Sequence, residues 1–358
     1  NYLLSEMDPS CEVFGRENRF IISCGLLADT RLTTAGRFSV GGKSPLTGGI
    51  KECNVGGDAG KKLARLGYKA VILEDNPEKR EPKVLIIRQG ECSLEVIPDL
   101  MNKEVSETSR ILRDKYGKGI GIICIGPAGE LGMASAVVAT FNQEGTQLRV
   151  AARGGLGAVM GSKGIKAVVV DDAGAVPEKA FDPEALSLAS KEVAKILLED
   201  PKTDNRHNYG TAGVMALCNS LGILPTRNFS QGQFEKADSL SGELLAQVID
   251  QRGGEGKRGL PCIKGCVIQC SNVFANPEGQ AVVGSLQYET MALLGSNCGI
   301  GNLDEIARLN NLCNQVGVDT IETGAALGVA MESGLLAFGD AKGAEEIIRQ
   351  IGRGDILG

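Results

Sequence analysis

The chain has 358 residues, 42% of them hydrophobic and 23% charged, which is enough apolar material for two or three ordinary buried cores. A formal net charge of −6 leaves no basic stripe to neutralise a phosphate backbone, so nucleic acid is excluded as a general partner and small-molecule chemistry is favoured. No apolar run reaches the roughly 20 residues of a bilayer crossing, and the opening residues carry neither a basic region nor a cleavage site; the expectation is a cytoplasmic protein without a membrane partner.

The opening stretch has no initial Met, so its first residues are expected to be missing. In chain order, β-branched runs at 19–25 (RFIISCG), 69–74 (KAVILE), 83–88 (KVLIIR), 119–124 (GIGIIC) and 166–171 (KAVVVD) predict strands, separated by turn residues. Helices are predicted near 60–66 and over 105–116, where Val105, Ile111 and Leu112 recur at near-helical spacing. From about residue 181 the apolar period changes to three and four. Residues 183–199, 210–221, 241–251, 303–316 and 319–336 read as helices. The fold class expected is α+β: a β-rich cofactor-binding domain over 1–177, then a mostly helical domain over 178–358 that stops short of a further helical domain.

Glycine is the compositional oddity, at 49 residues in short clusters, while Trp is absent. In 37–44 (RFSVGGKS) the GKS tripeptide resembles the end of a P-loop, but Arg37 stands where that loop needs its first glycine. In 153–163 (RGGLGAVMGSK) the order Gly-Ser-Lys is also wrong for a P-loop. Each cluster alone is more often a packing turn. Together, Arg37, the turn 53–57 (CNVGG) and the loop from Arg149 to Gly157, with Arg149, Arg153 and Gly154, offer guanidinium, amide and unhindered backbone N–H groups that suit a large phosphorylated cofactor.

Eleven cysteines, an odd number scattered through apolar surroundings, predict reduced thiols and one metal site. Cys262, Cys266 and Cys270 form Cys-x3-Cys-x3-Cys, which suits an iron–sulfur cluster or zinc. Zinc would need a fourth ligand, for which Cys298 and His207 are candidates; three core thiols on one helical face are the remaining reading, against which Pro261 and Gly265 argue. His207 is otherwise assigned no role, and Cys298 and Cys313 read as core thiols. Glu289 has the pattern of a solvated helix residue, but its place before LLGSNCGIG allows a buried carboxylate acting as a base.

The segments at 36–57 (GRFSVGGKSPLTGGIKECNVGG), 152–168 (ARGGLGAVMGSKGIKAV), 288–300 (YETMALLGSNCGI) and 312–324 (LCNQVGVDTIETG) resemble the aldehyde:ferredoxin oxidoreductase family, in order and nearly end to end. The resemblance implies a tungsten, rarely molybdenum, bis-pyranopterin with Mg²⁺ bridging its phosphates, and a 4Fe-4S cluster. It implies oxidation of a small aldehyde to a carboxylic acid, with electrons passing through the cluster to ferredoxin or another carrier, and it allows a homodimer. It further implies that the chain is the first domain plus most of the second, and that the fourth cluster thiolate comes from an absent third domain.

Carried over by position, Arg37, Asn54 and Gly56 fall where the family touches the pterin phosphates or their Mg²⁺, and Ala151 and Ala152 fall on the backbone loop completing that clamp. Glu289 matches a carboxylate near the metal. Residues 314–319 (NQVGVD), with Asn314, Val318 and Asp319, match a pterin-binding Asp-x-x-Gly-Leu-Asp motif in which Asn314 replaces the first Asp. The cluster cysteines depart from the common Cys-x2-Cys-x3-Cys spacing. Where some members place a Glu-x-x-His pair for an intersubunit metal, this chain has Arg308 and Asn311, so no metal is expected there. Two other readings stand beside aldehyde oxidation: an iron–sulfur electron-transfer protein on the same scaffold, and a reductase of an aromatic acyl-CoA.

Overall fold

The computed structural model describes residues 2–78, 81–177 and 179–358, so residue 178, where the second expected domain begins, lies outside the described residues. By contacts the chain divides into two units: 1–194 with 263–266 and 314–318, and 195–262 with 267–313 and 319–358.

The first unit holds two sheets. Strands β1 (Phe20–Cys24), β2 (Phe38–Lys43), β3 (Ile50–Val55) and β4 (Ala70–Leu73) form an antiparallel sheet in the order β3-β2-β1-β4. Strands β5 (Lys83–Arg88), β6 (Glu91–Val96), β7 (Gly121–Cys124), β8 (Val138–Phe141), β9 (Leu148–Ala151) and β10 (Ile165–Val170) form the second, in the order β6-β5-β10-β7-β8-β9, where only β5 and β10 run parallel.

All six residues of β10 are buried. This explains its unbroken apolar run: a central strand covered on both faces has no polar side to alternate with. Its even-numbered side chains Val168 and Val170 join Phe20, Ile22, Phe38 and Val40 in one core. Its odd-numbered Ala167 and Val169 join a second core with Val84, Ile122, Val105 and Leu112. Full burial of each large aliphatic side chain contributes about 1.5–3 kcal/mol. Helix α3 (Val105–Tyr116), the third after α1 (Tyr2–Glu6) and α2 (Ala59–Arg65), buries Val105, Thr108, Ser109 and Leu112, one stripe at helical spacing. It stops where Gly117 adopts φ +100° and donates its N–H to Arg113 O. Two short helices, α4 (Pro127–Glu130) and α5 (Leu156–Ser162), complete the unit's regular structure.

Helix α6 (Pro183–Glu199) matches its predicted span but buries no side chain, and the division between units falls inside it, after Ala194. The sequence places the boundary near 177. With no core to claim its side chains, the helix belongs to neither unit by packing.

The second unit contains α7 (Pro201–Tyr209), α8 (Met215–Ser220), α9 (Gly242–Arg252), α10 (Tyr288–Thr290), α12 (Thr320–Glu332) and α13 (Ala341–Arg353), while α11 (Leu303–Val316) crosses the division near its end. Residues 210–221, expected as one helix, are a 3-10 turn Gly210–Val214 followed by α8, and Gly210 at φ +62° closes the preceding helix α7, donating its N–H to Arg206 O. A three-stranded antiparallel sheet of β11 (Lys257–Leu260), β12 (Ser271–Ala275) and β13 (Ala281–Gly284) was not expected in this half. These strands have only four or five residues each, too few to establish a period of two. No helix among the described residues is long and apolar enough to cross a membrane.

Candidate cofactor-binding site

The antiparallel register of β2 and β3 sets Ser39 opposite Asn54, which brings Arg37, immediately before β2, to the same edge. The Arg37 guanidinium donates from Nε to Asn54 Oδ1 and from Nη2 to Asn54 O at 2.8 Å, while Asn54 Nδ2 donates to Ser39 Oγ at 3.2 Å. The pair borders a cavity of about 430 Å³, which also takes the hydroxyls of Ser23, Thr34 and Ser39. Among the described residues lining it there is no Asp or Glu. A guanidinium, an amide and three hydroxyls make a place for an anionic, hydrogen-bonding group.

Gly56 is buried just beyond β3. A Cβ on the next residue, Gly57, would stand 2.8 Å from Thr140 Cγ2, so close packing on β8 also demands a small residue there. Ala151 ends β9 opposite Val138, and Ala152 follows it half-buried. Neither these two nor Arg149, Arg153 or Gly154 lines the Arg37 cavity. The Arg149 guanidinium is buried and donates to Gln147 Oε1, just before the start of β9. The 152–154 loop is instead tied to the other face of β3, where Cys53 Sγ donates to Ala152 O at 2.6 Å and Arg153 O at 3.1 Å. That link was not legible in the sequence, since the thiol and its acceptors are about 100 residues apart.

In the second unit Glu289 lies half-buried in α10, and no hydrogen bond or ion pair engages its carboxylate among the described residues. Directly after α10 comes a π-helical turn, Met291–Gly295, with all five residues buried. Such widened turns are frequent at functional sites. Burial, followed by a hydrogen bond with Cys218, pushes the Tyr288 phenol up, and the charge of Glu289 adds to this. Asn314 and Val318 count with the first unit, where Val318 makes a backbone bridge to Ala136. Asp319 counts with the second and caps α12, accepting from Glu322 N at 3.3 Å. The expected pterin motif is therefore at least a helix start.

Cys266 counts with the first unit, and Cys262 and Cys270 with the second. Among the described residues no group of three or more His, Cys, Asp or Glu is gathered as a metal site. The Arg37 cavity fits a phosphorylated group. Cys298 and Cys313 are fully interior: burial pushes the Cys298 thiol up to about 12 and the Cys313 thiol higher, and Cys298 Sγ donates to Leu293 O at 3.2 Å. An inert protonated thiol suits a core and not a metal ligand. Arg308 pairs with Glu345 at 3.0 Å.

Comparison with known proteins gives these features a family. Residues 1–172 match the model of the aldehyde ferredoxin oxidoreductase N-terminal domain, and residues 188–358 match that of its domains 2 and 3. The chain belongs to the aldehyde ferredoxin oxidoreductase family. It is 36% identical over 332 residues to the tungsten-containing aldehyde ferredoxin oxidoreductase of Pyrococcus furiosus, covering 92% of this chain and 52% of that protein. The Pyrococcus abyssi enzyme of the same name is 35% identical over 360 residues, covering 99% of this chain and 57% of its own length. A more distant relative, the WOR-like subunit of an aliphatic sulfonate oxidoreductase of Pyrococcus furiosus, is 27% identical. The chain thus spans about half the length of the curated relatives it matches. Its fold is similar to the active site complex of benzoyl coenzyme A reductase solved with 1,5 dienoyl-CoA, with a TM-score of 0.77 at 22% identity, over 99% of this chain and 56% of that one.

Proposed function

We propose that this chain carries cofactor-binding parts of an enzyme that oxidises small aldehydes to carboxylic acids and passes two electrons to ferredoxin or a similar carrier. In the balanced reaction an aldehyde and a water become a carboxylic acid, two protons and two electrons. The observation that carries the reading is the Arg37–Asn54 pair on a 430 Å³ cavity lined with hydroxyls, in a chain 36% identical to a tungsten-containing relative.

When bound, a tungsten (or molybdenum) bis-pyranopterin supplies the two-electron redox centre, and the protein supplies binding and orientation. Arg37 and Asn54 would hold a phosphate of that group, with Gly56 leaving the backbone open, and Mg²⁺ would supply further positive charge for its phosphates. The 149–154 loop, Asn314, Val318 and Asp319 complete its binding. Glu289, half-buried and without a hydrogen-bond or ion-pair partner among the described residues, takes the proton from the attacking water. Cys262, Cys266 and Cys270 are assigned to a 4Fe-4S cluster. Metal ligation and loop ordering are commonly one event, so a cluster would have to gather these thiols as it forms.

The test is anaerobic assay of the purified protein with a viologen acceptor, offering aldehydes in one arm and an aromatic acyl-CoA in the other, with iron measured in parallel. Aldehyde-dependent reduction that falls about 100-fold or more in Glu289→Gln is expected, together with iron that is lost in Cys266→Ser. Turnover of the thioester alone would replace aldehyde oxidation with the reductase reading, and full iron in Cys266→Ser would remove the cluster assignment.

A further inference from the structure

The register of β10 on β5 contains one surplus residue. Ile165 stands opposite Lys83 and Ala167 opposite Val84, so Lys166 between them has no counterpart on β5. Plain alternation would turn Lys166 to the face of Val168 and Val170, but Ile165 joins that core instead. A bulge of this kind re-aims a side chain, and bulges are over-represented next to active sites. Here it takes a lysine that is 1% exposed out of the apolar core and directs its ammonium to Glu130 Oε2 at 2.6 Å and Lys103 O at 2.9 Å. Asn102, in the left-handed region at φ +57°, donates its N–H to Glu130 Oε1 at 3.3 Å. Both carboxylate oxygens are thereby engaged, whereas an ammonium has three donors and Lys166 uses two of them among the described residues. Burial pushes the Lys166 ammonium down and the Glu130 carboxyl up, so the pair is incompletely compensated for the water it has lost.

The pair opens onto a cavity of about 110 Å³ within the first unit. Its apolar walls include Pro82, Met101, Ile125, Leu131 and Ile165, and the exposed Glu81 also borders it. No residue lining it borders the Arg37 cavity. A dry cavity of about 150 Å³ accommodates benzene, so this one is sized for a body of roughly five heavy atoms. The charges around it select the ligand's charge. Glu130 already neutralises Lys166, and Glu81 adds negative charge, so an anion is repelled. A cation finds both Glu130 oxygens occupied and an ammonium beside them. What the cavity offers is apolar wall and one ammonium N–H, which a neutral oxygen acceptor satisfies.

We propose that this cavity is a second ligand site, taking a short neutral carbonyl compound whose oxygen accepts from Lys166 Nζ while its apolar body lies against Met101, Leu131 and Ile165. The site stands whether or not the chain oxidises aldehydes. Two substitutions separate the contact from the fold. Leu131 is 41% exposed, so Leu131→Trp adds its bulk at the mouth of the cavity and leaves the core alone. Lys166→Met combined with Glu130→Gln removes the donor without leaving a buried carboxylate unpaired.

Saturation-transfer NMR with butan-2-one reads the outcome without any catalytic assay, since a ketone lacks the hydrogen that aldehyde oxidation removes. The wild-type protein should bind it with a Kd on the order of 1 mM, as suits five heavy atoms. The isosteric 2-methylbut-1-ene, with a methylene in place of the oxygen, should bind roughly tenfold more weakly for want of a charge-assisted hydrogen bond. Butyrate should bind more weakly than the ketone as well. In the double variant the preference for ketone over alkene should vanish. Leu131→Trp should abolish ketone binding, while its thermal midpoint without ligand stays at the wild-type value. No ketone binding by the wild-type protein would make the cavity a solvent cleft and overturn the site. Binding undiminished in Leu131→Trp would place the ketone elsewhere, and equal wild-type affinity for ketone and alkene would remove Lys166 as the donor. Should the double variant fail to fold, the ketone–alkene comparison and Leu131→Trp decide by themselves.

Discussion

Lys43, at the centre of Gly-Lys-Ser, and Lys163, at the end of Gly-Ser-Lys, each belong to a tripeptide reminiscent of a phosphate loop, and each proves to be a structural tie. Lys43 Nζ donates to Pro9 O and Cys11 O, both at 2.6 Å, and Lys163 Nζ to Gly15 O at 2.9 Å and Asn76 Oδ1 at 3.0 Å. Spacing had already excluded a P-loop at both places, and the ammonium groups explain why lysine is nevertheless there: they satisfy carbonyls of the irregular N-terminal segment. Burial holds Lys163 down at about 8, against an ordinary 10.5. Its folded-state value is depressed, so between these two pH values the unfolded chain binds the extra proton and stability rises with pH; that contribution is lost as pH falls through about 8. Denaturant unfolding of wild type and Lys163→Met from pH 7.5 to 10.5 should show a rise in the wild type that the variant lacks. Parallel curves would mean that the site does not titrate in this window.

At the scale of elements, the glycine-rich run at 153–163 serves packing as well as any ligand. A Cβ on Gly157 would stand 2.3 Å from Val137 O, and one on Gly161 would stand 2.1 Å from Gly129 O. Helix α5 therefore lies in backbone contact with its neighbours. Gly161→Ala should cost about 1–3 kcal/mol in chemical unfolding through overpacking. Gly119→Ala, where a Cβ meets nothing within 4 Å, should change stability by less than about 0.5 kcal/mol. Equal effects of the two substitutions would contradict the close-packed arrangement.

The sequence revealed long periodic elements well: β5, α3 and α6 match their predicted spans, because period and flanking turn residues agreed locally. It did not reveal β2 and β3, whose FSVGGK and IKECNV lack clean alternation and are strands by virtue of pairing with each other across the turn at 44–49. Of the candidate site, the sequence singled out Arg37 and Asn54 through their motif context, and pairing of β2 with β3 sets them side by side, while the contact of Cys53 depends on a loop about 100 residues away. The buried π-helical turn after Glu289 has no signature in apolar spacing at all.

At the scale of the whole molecule, two cores on opposite faces of a six-stranded sheet stiffen the first unit, and the Arg37–Asn54 pair stands at the edge of its companion sheet. Membership of the aldehyde ferredoxin oxidoreductase family rests on both halves of the chain. The claim that the rest depends on is that this edge grips a phosphorylated metal-bearing cofactor. Tungsten and molybdenum content, measured on the purified protein together with the fluorescence of oxidised extracted pterin, addresses it most directly. The account predicts metal and pterin in the wild type at a fixed ratio of one to two, both falling at least about tenfold in Arg37→Met as a charge-assisted phosphate contact is lost. Wild-type protein with neither metal nor pterin, or Arg37→Met protein with undiminished amounts of both, would contradict it.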